Sequence, residues 1–193
     1  MALPLIVGIT GASGAPYAVR LLEALRQLRV PAHLVISKSA GLALKQETGL
    51  SVDQVRELAE CHYSNSDLAA PISSGSYPTG GMIVIPCSIR SLSDIAYGTT
   101  DTLVSRAADV VLKERRRLVL VVRETPLTLI HIENMATVAR AGAIVLPAMP
   151  GFYHKPKTVD DLVDHLVGKV LDAIGVEHDL YPRWKGPTPP KTA

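Results

Sequence analysis

Apolar residues fall along this chain in two alternating rhythms. Short uninterrupted runs occupy LIVGIT at 5–10, AHLVI at 32–36, MIVIP at 82–86, LVLVVR at 118–123 and AIVL at 143–146. Such β-branched runs mark strands buried on both faces of a parallel sheet. A shorter strand is expected at Cys61–Tyr63. Between the runs lie stretches with helical spacing, at 16–28, 40–48, 51–60, 102–114, 127–141 and 159–174. Alternation of this kind predicts an α/β fold, a single doubly wound, mostly parallel sheet with helices on both faces, in one domain over residues 1–180. The remainder, YPRWKGPTPPKTA at 181–193, reads as an extended Pro-rich C-terminal tail.

Composition sharpens this picture. Of the 193 residues, 47% are hydrophobic, and mean hydropathy is +0.22. The apolar runs are all far shorter than the roughly 20 residues that span a bilayer. The surplus therefore belongs in the sheet or between subunits, and a homo-oligomer is expected. A net charge of +2 gives no electrostatic footprint for nucleic acid. The one basic run, KERRR at 113–117, closes a predicted helix, where cations suit the dipole. Cys61 and Cys87 form no C-x-x-C pair, and the start MALPLIVG has no charged leader. Both point to a reduced, cytoplasmic protein without disulfides.

In an open parallel sheet, ligands bind beyond the carboxyl ends of the strands. Here those ends carry TGASGAP, SKSAG, PCSIRSLS, RETPLT and PAMPGFYHKP. The turn at 11–16 frees the backbone and opens a helix whose N-terminus favours an anion. It matches neither the dinucleotide fingerprint, since Ser13 stands where a glycine is required, nor a Walker A loop. Tight structural turn and cofactor contact both remain open from these residues alone. Ser88, Ser91 and Ser93 offer hydroxyls to a phosphate or to the edge of a flat heterocycle. Helix capping by Ser91 or Ser93 is the alternative.

Taken together, GITGASGAPYAVRLLEAL, HLVISKSAG, PCSIRSLSDIAYG, RAADVVLKERR followed by LVLVVRETP, HIENM, PGFYHKP and PRW resemble flavin prenyltransferases of the UbiX type, from Leu5 to about Trp184. The resemblance implies a flavodoxin-like fold, reduced FMN as acceptor, dimethylallyl monophosphate as donor, and no metal. It also implies a homododecamer with sites at subunit contacts, and delivery of prenylated FMN to UbiD-type decarboxylases. By matching motifs it assigns FMN contacts to Gly11, Ala12, Ser13, Ser37, Ser88, Ile89, Arg90, Ser91 and Arg123. It assigns donor contacts to Tyr153, Lys169, Arg106 and Lys113. Ser13, Glu47 and Glu133 are the implied catalytic set. Two departures stand out: Lys169 replaces an arginine common among relatives, and HIENM is a variable stretch.

The residues also have plainer readings. Arg106 and Lys113 lie seven apart, so they share a helix face and can be simply solvated. Tyr153 can be a packing residue, and Lys169 an exposed mid-helix one. Glu47 near a helix end faces the unfavourable dipole pole, which asks for an explanation. Cys87 has no His or Asp nearby in sequence to activate it and reads as a small buried residue. Asp160 and Asp161 sit at a helix start, and the histidines show no ligand spacing, so a metal site is not expected. An FMN-dependent decarboxylase of the same superfamily and a non-catalytic flavin carrier are the rival functions.

Overall fold

The computed structural model describes residues 3–184 and 186. Six strands form one parallel sheet: β1 (Leu5–Ile9), β2 (Ala32–Ile36), β3 (Cys61–Ser64), β4 (Gly81–Cys87), β5 (Leu118–Val122) and β6 (Ile144–Val145), in the order β3-β2-β1-β4-β5-β6. Without the edge strand β3, this is the flavodoxin strand order, and its switch point lies between β1 and β4. Among the described residues, seven helices accompany the sheet: α1 (Ala15–Gln27), α2 (Lys38–Thr48), α3 (Val52–Arg56), α4 (Ile89–Ala96), α5 (Leu103–Lys113), α6 (Leu129–Arg140) and α7 (Val159–Ile174). A short 3₁₀ turn spans Pro71–Ser73.

Each strand sends alternate side chains to opposite faces. Val7, Ile9, Leu34, Ile83, Ile85, Val119 and Val121 pack with α1, α2 and α7. Ile6, Val35, Met82, Val84, Leu118 and Leu120 pack with α4 and α5. Both faces are dry, which is why the strand sequences are continuously apolar. Arg20 on α1 and Asp164 on α7 close one helical layer with a 2.6 Å ion pair. α6 is different: only Asn134 and Val138 of it are buried.

Two expectations need correction. The serine-rich segment after β4 forms α4, absent from the predicted elements, and its N-cap is Ser88 rather than Ser91 or Ser93. Ile89, Leu92 and Ile95 give this helix its inward stripe, which the surrounding serines disguise. The third helix is short, ending at Arg56. At the start of the expected tail, Tyr181 is buried, and its hydroxyl donates to Asp172 on α7 at 2.8 Å. Lys185 and residues 187–193 of that tail lie outside the described residues.

Candidate active site

The site is built where β1 and β4 diverge. Thr10, 2% exposed, ties the two strand ends together. Its hydroxyl donates to the Pro86 carbonyl at 2.7 Å and accepts from the Ser88 amide at 2.8 Å. That clamp sets the start of α4, whose Ser88 hydroxyl accepts from the Ser91 amide. A cleft of about 830 Å³ opens beside it, lined among others by Gly11, Ser37, Ser88, Arg90, Ser91 and Glu124. This size and its hydroxyl-rich wall suit a cofactor. Gly11 is required for clearance: a Cβ there would run into Ser39.

The Gly-rich turn holds an anion of the protein's own. The amides of Gly14 and Ala15, at the head of α1, both donate at 2.8 Å to the Glu47 carboxylate. Glu47 therefore escapes the poor dipole end of α2 by reaching the favourable end of α1. Desolvation works against its charge. The Gly14 amide, the Ser13 hydroxyl, the Ala15 amide and the nearby Arg123 outweigh this and hold the carboxyl below its ordinary range. Ser13, Gly14, Tyr17, Glu47, Arg123, Ala148 and Val159 line a second cleft of about 400 Å³. Arg123 is half-buried and makes no ion pair among the described residues. Its charge is thus free to meet a ligand anion.

The remaining candidates divide. Gly11, Ser13, Ser37, Ser88, Ile89, Arg90, Ser91, Glu47 and Arg123 all line one or other of these two clefts. Arg106, in the second turn of α5, binds the Ser73 carbonyl at 3.2 Å and Asp109 at 2.9 Å. Lys113 is the last residue of α5, just before β5, and pairs with Glu114. Tyr153 and Lys169 are half-exposed, beside His165 and Asp172 respectively. None of these four lines either cleft of its own chain. Glu133 is exposed on α6, also away from both.

Two residues that sequence reasoning passed over belong to the site. Glu124 lines the larger cleft directly after Arg123, within the RETPLT segment already placed at the strand ends. Thr10, read only as the end of a strand, carries the clamp; a hydroxyl at the last position of a buried run was the available signal. Cys87 is fully buried, and burial pushes its thiol up to about 12, which leaves no nucleophile. Asp161 caps α7, accepting from the Lys157 and Thr158 amides. Among the described residues, no three His, Cys, Asp or Glu side chains gather to hold a metal ion.

A parallel α/β sheet with a hydroxyl-lined cleft at its switch point defines a class of nucleotide-binding proteins. The sequence profile of the Flavoprotein family matches residues 2–171. A probable UbiX-like flavin prenyltransferase of Streptomyces sp. (strain D7) is 54% identical, over 94% of this chain and 92% of its own length. AnUbiX (PadA1), solved in complex with FMN and dimethylallyl pyrophosphate, has a TM-score of 0.96 and 47% identity, covering 97% of this chain and 100% of that one. The dodecameric FMN-dependent UbiX-like decarboxylase from Escherichia coli O157:H7 has a TM-score of 0.93 and 54% identity, covering 95% and 100%. The chain belongs to the Flavoprotein family and, within it, to the UbiX-type flavin prenyltransferases.

Proposed function

We propose that this protein transfers a dimethylallyl group from dimethylallyl monophosphate to reduced FMN, giving prenylated FMN for a UbiD-type decarboxylase. The observation that carries the reading is the meeting of two clefts at the 10–14 turn. One is walled by hydroxyls and the start of α4; the other holds Ser13, Glu47 and Arg123. The larger cleft fits FMN on its own features: its volume suits a cofactor, and the hydroxyls of Ser37, Ser88 and Ser91 can meet the polar groups of a flavin nucleotide. Bound reduced FMN supplies the nucleophile.

The chain's own residues do the rest. Glu47, ionised and fixed by two amides, accepts a hydrogen bond from the Ser13 hydroxyl and can accept a proton at its carboxylate. Arg123 places a fixed cation where negative charge must be stabilised. Cationic side chains also serve the departing phosphate in place of a metal ion. Arg106, Lys113, Tyr153 and Lys169 are the proposed donor contacts, and they reach a site through neighbouring copies. Exposed apolar residues support such an assembly. Leu129, Ile130 and Ile132 of α6 are 68%, 65% and 49% exposed, and Phe152 beside Tyr153 is 69% exposed. A homododecamer in the cytoplasm, as the E. coli O157:H7 protein forms a dodecamer, is the proposed state. No described helix is long and apolar enough to cross a membrane.

The decisive assay incubates the protein anaerobically with reduced FMN and dimethylallyl monophosphate, then weighs the extracted flavin. A gain of one prenyl unit is expected; unchanged flavin overturns the proposal. The pyrophosphate, the ligand named with AnUbiX, serves as the competing donor. The decarboxylase reading is favoured by the description of the E. coli O157:H7 relative. Carbon dioxide release from an aromatic acid, with no change in flavin mass, would establish it instead.

A further inference from the structure

The loop that follows β6 carries Tyr153 and folds onto α7 through a group of rings that neither cleft uses. His165 of α7 is its centre, 5% exposed. Its ring stacks on His154 with centroids 4.8 Å apart and 4° between planes. Tyr153 meets it edge-on at 5.4 Å, and Tyr181 covers it at 4.9 Å. Both of its nitrogens are engaged. The Gly151 amide lies 3.1 Å from Nδ1, and the Tyr153 hydroxyl 3.1 Å from Nε2.

A backbone amide can only donate, so Nδ1 must offer its lone pair. A neutral imidazole then carries its proton on Nε2, and Nε2–H donates to the Tyr153 oxygen. The tyrosine oxygen is thus committed as an acceptor on that side. Its own proton is left to be donated outward. We infer that His165 is a positioning residue that fixes the 151–153 turn and aims the Tyr153 O–H at a phosphate oxygen of the prenyl donor. The inference rests on the proposed prenyl transfer, in which Tyr153 touches that phosphate.

The surroundings favour the neutral ring. Burial, then His154 across the stack and Lys169 on the same helix, hold His165 below the ordinary histidine range. The Tyr153 and Tyr181 rings face it; Asp161 lies near His154, and Asp172 and Arg183 near Tyr181. Protonation would place a hydrogen on Nδ1 against the Gly151 amide. Donor affinity should therefore fall on acidification.

Calorimetric titration of the FMN-loaded oligomer with dimethylallyl monophosphate tests this without turnover. Tyr153→Phe should weaken binding about tenfold, the loss of one hydrogen bond to a charged group. His165→Asn keeps an oxygen for the Gly151 amide but cannot reach Tyr153. It should weaken binding as much, with FMN affinity unchanged. The double variant should be no weaker than either single one, and His165→Gln, whose amide reaches Tyr153, should recover most of the loss. Wild-type affinity in the Asn variant, or losses that multiply in the double variant, overturn the inference alone. Wild-type protein that binds no donor removes the functional reading and this inference with it.

Discussion

Substituting Gln for Glu47 removes a charge but keeps an oxygen that the Gly14 and Ala15 amides can reach. The fold and FMN binding should therefore survive, while proton acceptance is lost. Adduct formation in Glu47→Gln should slow by about 10²–10⁴, the usual contribution of a positioned acid or base. Ser13→Ala should slow it too, since the Ser13 hydroxyl donates to Glu47. Flavin mass gain against time measures both; two variants at wild-type rates would remove the assigned roles. The same carboxylate gives a pH signature. Its folded pKa is depressed, so its stabilisation is present above the unfolded value of about 4.3 and is lost as pH falls through the folded value. Wild type and Glu47→Gln should melt apart at pH 7 and converge in acid. The difference should be small and shrink with salt, because Glu47 is exposed.

At the scale of elements, Ser88 has two duties that can be separated. As N-cap of α4 its loss should cost roughly 0.5–2 kcal/mol. Thr128 caps α6 with the same geometry, but outside both clefts. Ser88→Ala and Thr128→Ala should lower the melting temperature alike, yet only Ser88→Ala should weaken FMN binding, measured by fluorescence quenching. The comparison also shows what sequence can carry. Strands β1, β2, β4 and β5 were legible because burial on both faces forces continuous apolar runs. The residues that line the two clefts were legible because the strand ends must converge. α4 was not, because the serines around its apolar stripe make it look like a loop, and its cap was sought within the helix rather than before it. Glu47 looked misplaced on α2 for a related reason. Its partner, the head of α1, is about 30 residues away in the chain, and only the β1–β2 pairing brings the two together.

The whole molecule poses a problem that a single copy does not solve. Ser13, Glu47 and Arg123 share one cleft, whereas Lys113 sits at the far end of α5, about 10 Å of helix beyond Arg106. Tyr153 and Lys169 stand on another flank, over α7. None of these four lines the cleft that holds Ser13, Glu47 and Arg123 in its own chain. On the proposed function, other copies bring them to one phosphate, and the exposed Leu129, Ile130 and Phe152 are the surface such copies would cover. Subunit mixing tests the geometry directly. Ser13→Ala and Tyr153→Phe are each expected to be impaired as pure oligomers. If every site draws Ser13 from one copy and Tyr153 from its neighbour, oligomers co-expressed from both variants contain some sites with both residues intact. Prenylation should then recover in the mixture, in proportion to the fraction of such sites. Were one chain to supply both residues, each site would carry one defect or the other, and the mixture would be no faster than the average of its parents.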